Sequence, residues 1–426
     1  MGNCQSPEVE RKFKVVQRCR DVCKARSYTG GSEPKNIVVS FDGTGGVPGW
    51  GIQEKLVAQE LYKGLGGLSN VCKLHLLAGG NVGCSFNKFP NQIPLYYSGV
   101  GTRGRLRLLK SAFGLNEIAN IYEMAYRDLE KIYEEGDKIF IFGFSRGAAT
   151  ARLFSSYLQK YKLNGITPKI AFLGVYDTVL QSSGVSNKED AKYCNVDYSP
   201  KLPDIVEKAV HFVSIDEARE PFLPTLFNRD PRVTEIWCPG NHSDIGGGYY
   251  HDGLSDNTLQ LMQKAAMRQG LLCREITEDT CQNHSREIVD DDLQTPDKLL
   301  CQYDKDMVVT PDACDPDIHT EKSKFYDYTD GDFTGRTVAY KEGATAIESE
   351  PILLLDSTIE RIKNWKPVEC EALHAKDFEE KVKIGPYKSG KYRPENIKNV
   401  PYKIVRSADL SVDDTVHTGF AEAGWE

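Results

Sequence analysis

Several features that would assign a chain to a familiar class are missing from this sequence. Its 426 residues contain no run of about 18 apolar residues, which a transmembrane helix would need. The first residues lack the apolar core of a secretory signal, so we expect no export signal. Lys and Arg number 53 against 61 Asp and Glu, a formal net charge of −8. This balance argues against the basic face typical of proteins that bind nucleic acid.

Signatures of metal binding are missing as well. The 12 cysteines include no Cys-x-x-Cys pair, and the pair Cys19-x-x-x-Cys23 has no further His or Cys nearby at the spacing of a zinc site. In a chain of this length without a secretory signal we expect the thiols to stay reduced. We therefore predict neither a metal nor an organic cofactor.

The chain is organised around a serine at a tight turn. Residues Ile139–Phe142 are apolar and partly β-branched, which predicts a strand, and Ala148–Phe154 has a helical pattern. Between them, Gly143-Phe144-Ser145-Arg146-Gly147 matches G-x-S-x-G. In that motif the serine occupies a strained turn with its hydroxyl exposed, and the small residues let strand and helix approach closely. We predict that Ser145 is a nucleophile rather than an ordinary turn serine.

Strands and helices alternate along most of the chain, which predicts a parallel sheet covered on both faces. The predicted strands are Asn36–Phe41, Asn70–Leu77, Leu95–Thr102, Ile139–Phe142, Ile170–Tyr176, Ala209–Ile215 and Val233–Cys238. The predicted helices are Leu115–Glu134 and Leu254–Gly270.

A nucleophilic serine needs a base, and the base needs an orienting acid. Asp177 and His242 each follow a predicted strand, and the carboxyl ends of parallel strands share one edge of the sheet. The order Ser145, Asp177, His242 is that of α/β-hydrolases. Asp216, at the end of another predicted strand, is the rival acid, and Asp244 is expected to brace the loop that carries His242.

A glycine-rich loop, Asp42-Gly43-Thr44-Gly45-Gly46, follows the first predicted strand. Its backbone N–H groups could hold a phosphate or an oxyanion. The loop follows neither nucleotide-binding pattern, G-x-x-x-x-G-K-[ST] or G-x-G-x-x-G, so nucleotide binding is the weaker interpretation. We predict that the amide of Arg146 and one near Gly43 or Thr44 stabilise an oxyanion.

The N-terminal hexapeptide Met1–Ser6 fits the pattern for N-myristoylation of Gly2, and Cys4 could carry a palmitoyl group. A second acyl chain or a basic patch makes such an anchor stable. The basic residues that follow are Arg11, Lys12, Lys14, Arg18, Arg20, Lys24 and Arg26. We expect a cytoplasmic, peripheral protein tethered to a membrane surface, against the alternative of a chance match in a disordered tail.

Six motifs occur together in one order. They are Phe41–Thr44 (FDGT), Tyr97–Thr102 (YSGVGT), Gly143–Ala148 (GFSRGA), Gly174–Val179 (GVYDTV), Ser214–Glu217 (SIDE) and Pro239–Tyr249 (PGNHSDIGGGY). This set resembles the α/β-hydrolase family of uncharacterised domains related to the phospholipase effectors of type VI secretion. The resemblance covers roughly Asn36 to Gln269. It implies a serine lipase or esterase with Ser145, Asp177 and His242 as its triad and the Asp42–Thr44 loop close to the oxyanion hole.

The sequence predicts four segments. Residues 1–34 form the basic tail and linker, and residues 35–272 form the α/β-hydrolase core. Residues 273–406 form an extension with an acidic, irregular insertion, expected to pack on the core as a cap or lid. Residues 407–426 are predicted to be a frayed tail.

The predicted function is hydrolysis of carboxylic esters, by a phospholipase or lipase acting at a membrane on a lipid or other acyl ester. Two alternatives stay open: a soluble esterase or thioesterase, and a catalytically inactive hydrolase fold that serves as a membrane scaffold. No nucleic-acid partner is expected.

Overall fold

A computed structural model describes residues 33–44, 68–80, 89–100, 115–180, 202–217, 219, 222–248, 253–274, 336–342, 345–364 and 392–425. The predicted lipidation residues Gly2 and Cys4 lie outside the described residues, as do the linker and most of the acidic insertion. No helix in the described part of the chain is long and apolar enough to cross a membrane.

Eight parallel strands form the central sheet. In chain order, the strands of the structure are β1 (Asn36–Phe41), β2 (Gln92–Tyr97), β3 (Lys138–Phe144), β4 (Lys169–Tyr176), β5 (Ala209–Ser214), β6 (Val233–Cys238), β7 (Tyr340–Glu342), β8 (Thr345–Ile347), β9 (Ile352–Leu355) and β10 (Tyr402–Val405). The sheet has the order β10-β9-β6-β5-β4-β3-β1-β2, and β7 and β8 form a separate antiparallel pair. The predicted parallel sheet is confirmed.

Helices cover both faces of this sheet. They are α1 (Asn70–Leu77), α2 (Leu115–Glu130), α3 (Arg146–Tyr161), α4 (His242–Gly246), α5 (Gly253–Met267) and α6 (Asp356–Asn364). One apolar core joins α2 and α3 to the sheet, and a second joins α1 and α5 to its other face. The central strands β3 and β4 are nearly continuous apolar runs, because both of their faces are buried. The chain thus has an α/β-hydrolase-like fold.

The segment Asn70–Leu77 is a helix, and its prediction as a strand is wrong. Ser69 caps it by accepting a hydrogen bond from the amide of Cys72, and all eight residues are buried. A short apolar run that is buried on all sides has no periodicity to separate strand from helix. The helix even buries Lys73, whose ammonium lies 2.9 Å from the carboxylate of Asp256.

The described residues of the C-terminal extension continue the sheet. Strand β9 pairs with β6, and β10 pairs with β9, each in parallel. The predicted cap or lid spans residues 273–406, and residues 275–335 and 365–391 of it lie outside the described residues.

The predicted frayed tail is wrong for residues 407–425. Phe420 stacks on Tyr402 of β10, and Trp425 stacks on Phe420, with ring centroids 4.9 and 5.2 Å apart. Phe420 and Trp425 are only 3% and 7% exposed. This segment folds back because its aromatic side chains find an apolar surface at the edge of the sheet.

Candidate active site

The predicted nucleophile turn is present between β3 and α3. Ser145 has φ 57° and ψ −123°, a conformation that residues with a side chain rarely adopt. The turn is held from β4, since the amide of Ser145 donates to the carbonyl of Tyr176 at 3.0 Å. The amide of Val179 in turn donates to the Ser145 carbonyl at 3.3 Å. These bonds hold the strained geometry and bring the end of β4 beside the serine.

Glycines on both sides of Ser145 are required by packing. A Cβ atom at Gly147 would fall inside van der Waals contact of the carbonyl oxygens of Phe41 and Asp42. A Cβ at Gly143 would collide with the backbone of Gly147 itself. The G-x-S-x-G pattern therefore lets the turn lie directly against the end of β1.

His242 and Asp177 form a close pair. Nδ1 of His242, at the start of α4, lies 2.6 Å from Oδ2 of Asp177, which directly follows β4. Asp177 has φ 38°, so it too sits in a strained turn at the carboxyl edge of the sheet. Both residues are buried. The carboxyl edge of the sheet thus brings together Asp177 and His242, the acid and the histidine that the sequence favoured.

Asp216, the rival acid, binds other groups than His242 in the hydrogen bonds that its carboxylate makes with the Gly240 loop and the C-terminal extension. Its Oδ2 accepts hydrogen bonds from the Gly240 amide at 2.6 Å and from the Tyr392 hydroxyl at 2.8 Å. Asp216 therefore ties the loop before α4 to the C-terminal extension. Asp244 closes a capping box at the start of α4, which fits the bracing role predicted for it.

Two aromatic rings fix the imidazole of His242. The ring of Phe144 lies 4.6 Å from it, centroid to centroid, and the ring of Phe222 packs edge-on at 4.9 Å. Because Phe144 immediately precedes Ser145, the histidine lies next to the nucleophile turn. Ser145 is 5% exposed, so the site is more enclosed than the sequence predicted.

Sequence reasoning missed Arg336. Its guanidinium makes a two-pronged contact with Asp177: Nη1 donates to Oδ1 at 2.6 Å and Nη2 to Oδ2 at 2.8 Å. The amide of Ser214 also donates to Oδ1 at 3.0 Å. Burial alone would raise the pKa of Asp177, but the charge of Arg336 and the hydrogen bonds from His242 and Arg336 hold it well below its usual range. Arg336 lies within the acidic, irregular part of the extension and belongs to no motif, so nothing in the sequence marks it.

A second carboxylate borders His242. Glu217 accepts a hydrogen bond from the His242 amide at 3.3 Å. The guanidinium of Arg219 binds Glu217 at 2.7–2.8 Å and lies 3.6 Å above the ring of Phe222. Burial raises the pKa of Glu217, but the contacts with Arg219 outweigh this and lower it. Glu217 therefore stays ionised although it is buried.

A buried His–Glu pair lies behind the turn of Asp177. Nδ1 of His211 is 2.8 Å from Oε2 of Glu235, and Nε2 accepts a hydrogen bond from the Thr178 amide at 3.1 Å. Since Nε2 is an acceptor, the ring proton belongs on Nδ1, where it is donated to Glu235. His211 thus anchors the residue that follows Asp177.

The Asp42 loop lies against the nucleophile turn and is held internally. The Gly43 amide donates to Oδ1 of Asp42 at 2.7 Å, and the hydroxyl of Tyr96 donates to Oδ2. Burial raises the pKa of Asp42 in spite of these hydrogen bonds. Because the Gly43 amide already has an acceptor, Gly43 is a poor candidate for the predicted oxyanion donor, and Arg146 and Thr44 are left.

The described residues contain no group of three or more His, Cys, Asp or Glu side chains placed to hold a metal ion. The cysteines of the described part, Cys72, Cys238 and Cys273, are free thiols, and burial raises the pKa of each. The chemistry that this arrangement supports is transfer of a proton from a serine hydroxyl to an imidazole backed by an ionised carboxylate.

Comparison with known proteins points to one family. The model of the catalytic domain of Tle1-like phospholipase effectors of the type VI secretion system (T6SS) matches residues 35–164 and 155–265. These ranges together take in more than half of the chain. They contain Ser145, Asp177 and His242, whereas Arg336 lies outside them.

Among curated proteins, the uncharacterized protein YEL023C of Saccharomyces cerevisiae is 27% identical over 258 residues. The matched stretch is 48% of this chain but only 34% of that relative's length. Among solved structures, an uncharacterized protein from Pseudomonas aeruginosa has a TM-score of 0.39 and 19% identity, covering 64% of this chain and 50% of that one. The Tle1 effector bound to the VgrG spike also has a TM-score of 0.39, with 16% identity, covering 65% of this chain and 80% of the effector.

Proposed function

Because this chain belongs to the family of Tle1-like catalytic domains of T6SS phospholipase effectors, we propose that it is a serine hydrolase that cleaves carboxylic esters of lipids. The observation that carries the proposal is the 2.6 Å contact between His242 and the ionised Asp177, beside the strained turn of Ser145. The family is that of phospholipase effectors, and phospholipids are therefore the first substrates to test.

In the proposed reaction, the Ser145 hydroxyl attacks the ester carbonyl while His242 accepts its proton. Asp177 holds the Nδ1–H tautomer, which leaves Nε2 to act as the base, and it stabilises the imidazolium that forms. Amides at Arg146 and Thr44 would stabilise the negative oxygen of the tetrahedral intermediate. His242 then returns the proton to the leaving alcohol, and a water molecule activated by His242 releases the acyl group from Ser145.

The proposed nucleophile is tested with a fluorophosphonate probe, which reacts with activated serines. The wild-type protein should be labelled at neutral pH, and Ser145→Ala should not be. Ser155→Ala is the matched control, because the Ser155 hydroxyl is buried on the same helix and donates to the Ala151 carbonyl. An unlabelled wild-type protein would reject the hydrolase proposal and favour the scaffold.

Asp177→Asn tests the acid with an ester substrate. The substitution removes the charge that orients and stabilises His242, so we expect kcat to fall by about 10⁴-fold. Asp216→Asn should lower kcat far less, because Asp216 contacts the loop and not the imidazole. Equal losses in the two variants would contradict the assignment of the acid.

The class of substrate is tested by comparing a short-chain soluble ester with a phospholipid above and below its micelle concentration. A lipase acting at a membrane should gain activity when micelles form. Activity that is confined to the soluble ester or a thioester would instead favour the soluble esterase or thioesterase.

We further propose that Gly2 is myristoylated and Cys4 palmitoylated, so that the chain is held at the cytoplasmic face of a membrane with help from its basic tail. The support is the N-terminal pattern itself. In cells fed an alkyne analogue of myristate, Gly2→Ala should lose the label and leave the membrane fraction, while Gly30→Ala should keep both. A label that persists in Gly2→Ala would overturn this part of the proposal.

A further inference from the structure

His242 faces two buried carboxylates, and each is paired with an arginine. Asp177 contacts the imidazole of His242 and is bound by Arg336. Glu217 contacts the backbone amide of His242 and is bound by Arg219. An arginine bound to both oxygens of the orienting carboxylate opposes that carboxylate's usual effect, which is to stabilise the imidazolium.

The contacts of Arg336 define both its place and its orientation. Nη1 donates to Oδ1 of Asp177 and to the carbonyl of Ser214, at 2.6 and 2.9 Å. Nη2 donates to Oδ2 of Asp177 and to the carbonyl of Phe222. The residue is 1% exposed. With four donated bonds in a planar fork, Arg336 fixes the plane of the Asp177 carboxylate.

The same contacts fill the hydrogen-bonding sites of Asp177. Oδ1 accepts from Ser214 and Arg336, and Oδ2 accepts from His242 and Arg336. A carboxylate held by four donors cannot turn away from His242. Removing the arginine would free two of these sites and leave a buried charge without its partner.

The charges around His242 cancel while the imidazole is neutral. The pairs Asp177–Arg336 and Glu217–Arg219 contribute two negative and two positive charges. Among the described residues, the other charged side chains on the elements around the ring are Asp244 on α4, which caps that helix, Asp216, which holds the Gly240 loop, and Arg146 at the start of α3. The two arginines therefore offset the charges of the two carboxylates that face the ring.

We propose that Arg336 is a positioning residue of the active site: its guanidinium locks the Asp177 carboxylate against His242 and offsets the charge of that carboxylate next to the imidazole. The proposal rests on the proposed serine hydrolase function. Arg336 lies beyond residues 35–265, which the family model matches. The site of this chain is thus completed by a residue of its C-terminal extension.

The test is the pH profile of kcat/KM for an ester substrate in three variants. The acid limb of this profile reports protonation of the essential base in the free enzyme. In Arg336→Gln the limb should move to higher pH by about one unit, because Asp177 then keeps its full negative charge next to the imidazole. Arg336→Lys keeps the charge but loses the two-pronged contact, so kcat should fall while the limb stays near its wild-type position.

Arg361→Gln is the matched control. Arg361 is as buried as Arg336, but it lies on α6, with its guanidinium 5.2 Å from the ring of Tyr392. This variant should lose stability without moving the acid limb. If Arg336 had a purely structural role, Arg336→Gln would also lose stability without moving the acid limb. An unmoved acid limb in Arg336→Gln would therefore overturn the proposal.

A readout that does not depend on activity separates this inference from the proposed function. The ring signals of His242 are followed by NMR against pH, with His242→Asn used to assign them. A shift of the titration in Arg336→Gln supports the inference even if no fluorophosphonate labelling is found. Labelling of the wild type together with an unchanged titration would reject the inference alone.

If Arg336→Gln fails to fold, Arg219→Gln tests whether an arginine offsets the charge of a carboxylate next to His242, here in the pair Glu217–Arg219. It leaves Glu217 with its full charge, so the limb should again move to higher pH. The shift should be smaller, since Glu217 contacts the His242 amide rather than its ring. A shift to lower pH, or none, would overturn the proposal.

Discussion

His211 illustrates how a single side chain away from the reacting atoms can shape the site. Its Nε2 accepts the Thr178 amide, next to Asp177, while its Nδ1 contacts Glu235. Glu235 also accepts the Phe227 amide at 2.9 Å. The strained backbone of Asp177 persists because such bonds hold the turn from outside.

His211→Phe tests this role with a ring of similar shape. It leaves the buried Thr178 amide and the Glu235 carboxylate short of a partner. We expect the free energy of unfolding to fall by about 2–4 kcal/mol, measured by urea denaturation, and kcat to fall more than KM changes.

The matched control is His417→Phe. His417 is partly exposed and stacks on Tyr402 with ring centroids 5.3 Å apart, a contact that Phe preserves. Its free energy of unfolding should change by less than about 0.5 kcal/mol. An equal, small effect in both variants would mean that His211 only fills space.

Burial alone does not decide the charge of a carboxylate in this site. Asp42, Asp177 and Glu217 are all buried. For Asp42 burial dominates and the pKa is raised, since its hydrogen bonds come from hydroxyls and an amide. For Asp177 and Glu217 the arginines outweigh burial and the pKa is lowered. The two lowered carboxylates are those that face His242.

At the scale of elements, the nucleophile turn and the C-terminal segment differ in whether their structure is encoded locally. The strand, turn and helix of β3, Ser145 and α3 are specified by consecutive residues, and the prediction of this unit from sequence is confirmed. The segment 407–425 has no such local pattern. It is ordered by bridges to β10, from Val412 to Val405 and from His417 to Tyr402, and by its aromatic stack.

Trp425→Ala tests whether this segment stabilises the sheet edge. The substitution removes a ring that stacks on Phe420, with Arg393 and Lys398 over its face. We expect the free energy of unfolding in urea to fall by about 3 kcal/mol. Val416→Ala, at a position 52% exposed, should change it by less than about 0.5 kcal/mol. If Trp425→Ala lowered the free energy of unfolding as little as Val416→Ala, the segment would not stabilise the edge of the sheet.

At the scale of the whole molecule, the sheet extends beyond the region that identifies the family. The matched residues 35–265 contain β1–β6, whereas β9 and β10 come from the extension and lie beside β6. Two residues of the extension also contact the ends of the strands: Arg336 binds Asp177, and Tyr392 donates a hydrogen bond to Asp216. The region that matches the family and the extension therefore share one sheet and contribute residues to one candidate site.

The sequence by itself predicted the parallel sheet, Ser145 and His242 as site residues, and an acid at the end of a strand. It could do so because apolar runs, the G-x-S-x-G turn and residues placed directly after strands are local features, and parallel strands end at one edge. It left Asp177 and Asp216 both open, since each follows a strand. Only the fold distinguished them, by bringing Asp177 to His242 and Asp216 to Gly240 and Tyr392.

The tertiary structure alone decided the features that depend on distant partners. Asn70–Leu77 is a helix that Ser69 caps and that packs in one core with the sheet and α5, and residues 407–425 are ordered because β10 offers them an apolar surface. Arg336 reaches Asp177 across 159 positions of sequence. No local pattern encodes such a contact, because it exists only once separate strands have assembled into the sheet and have brought their ends together.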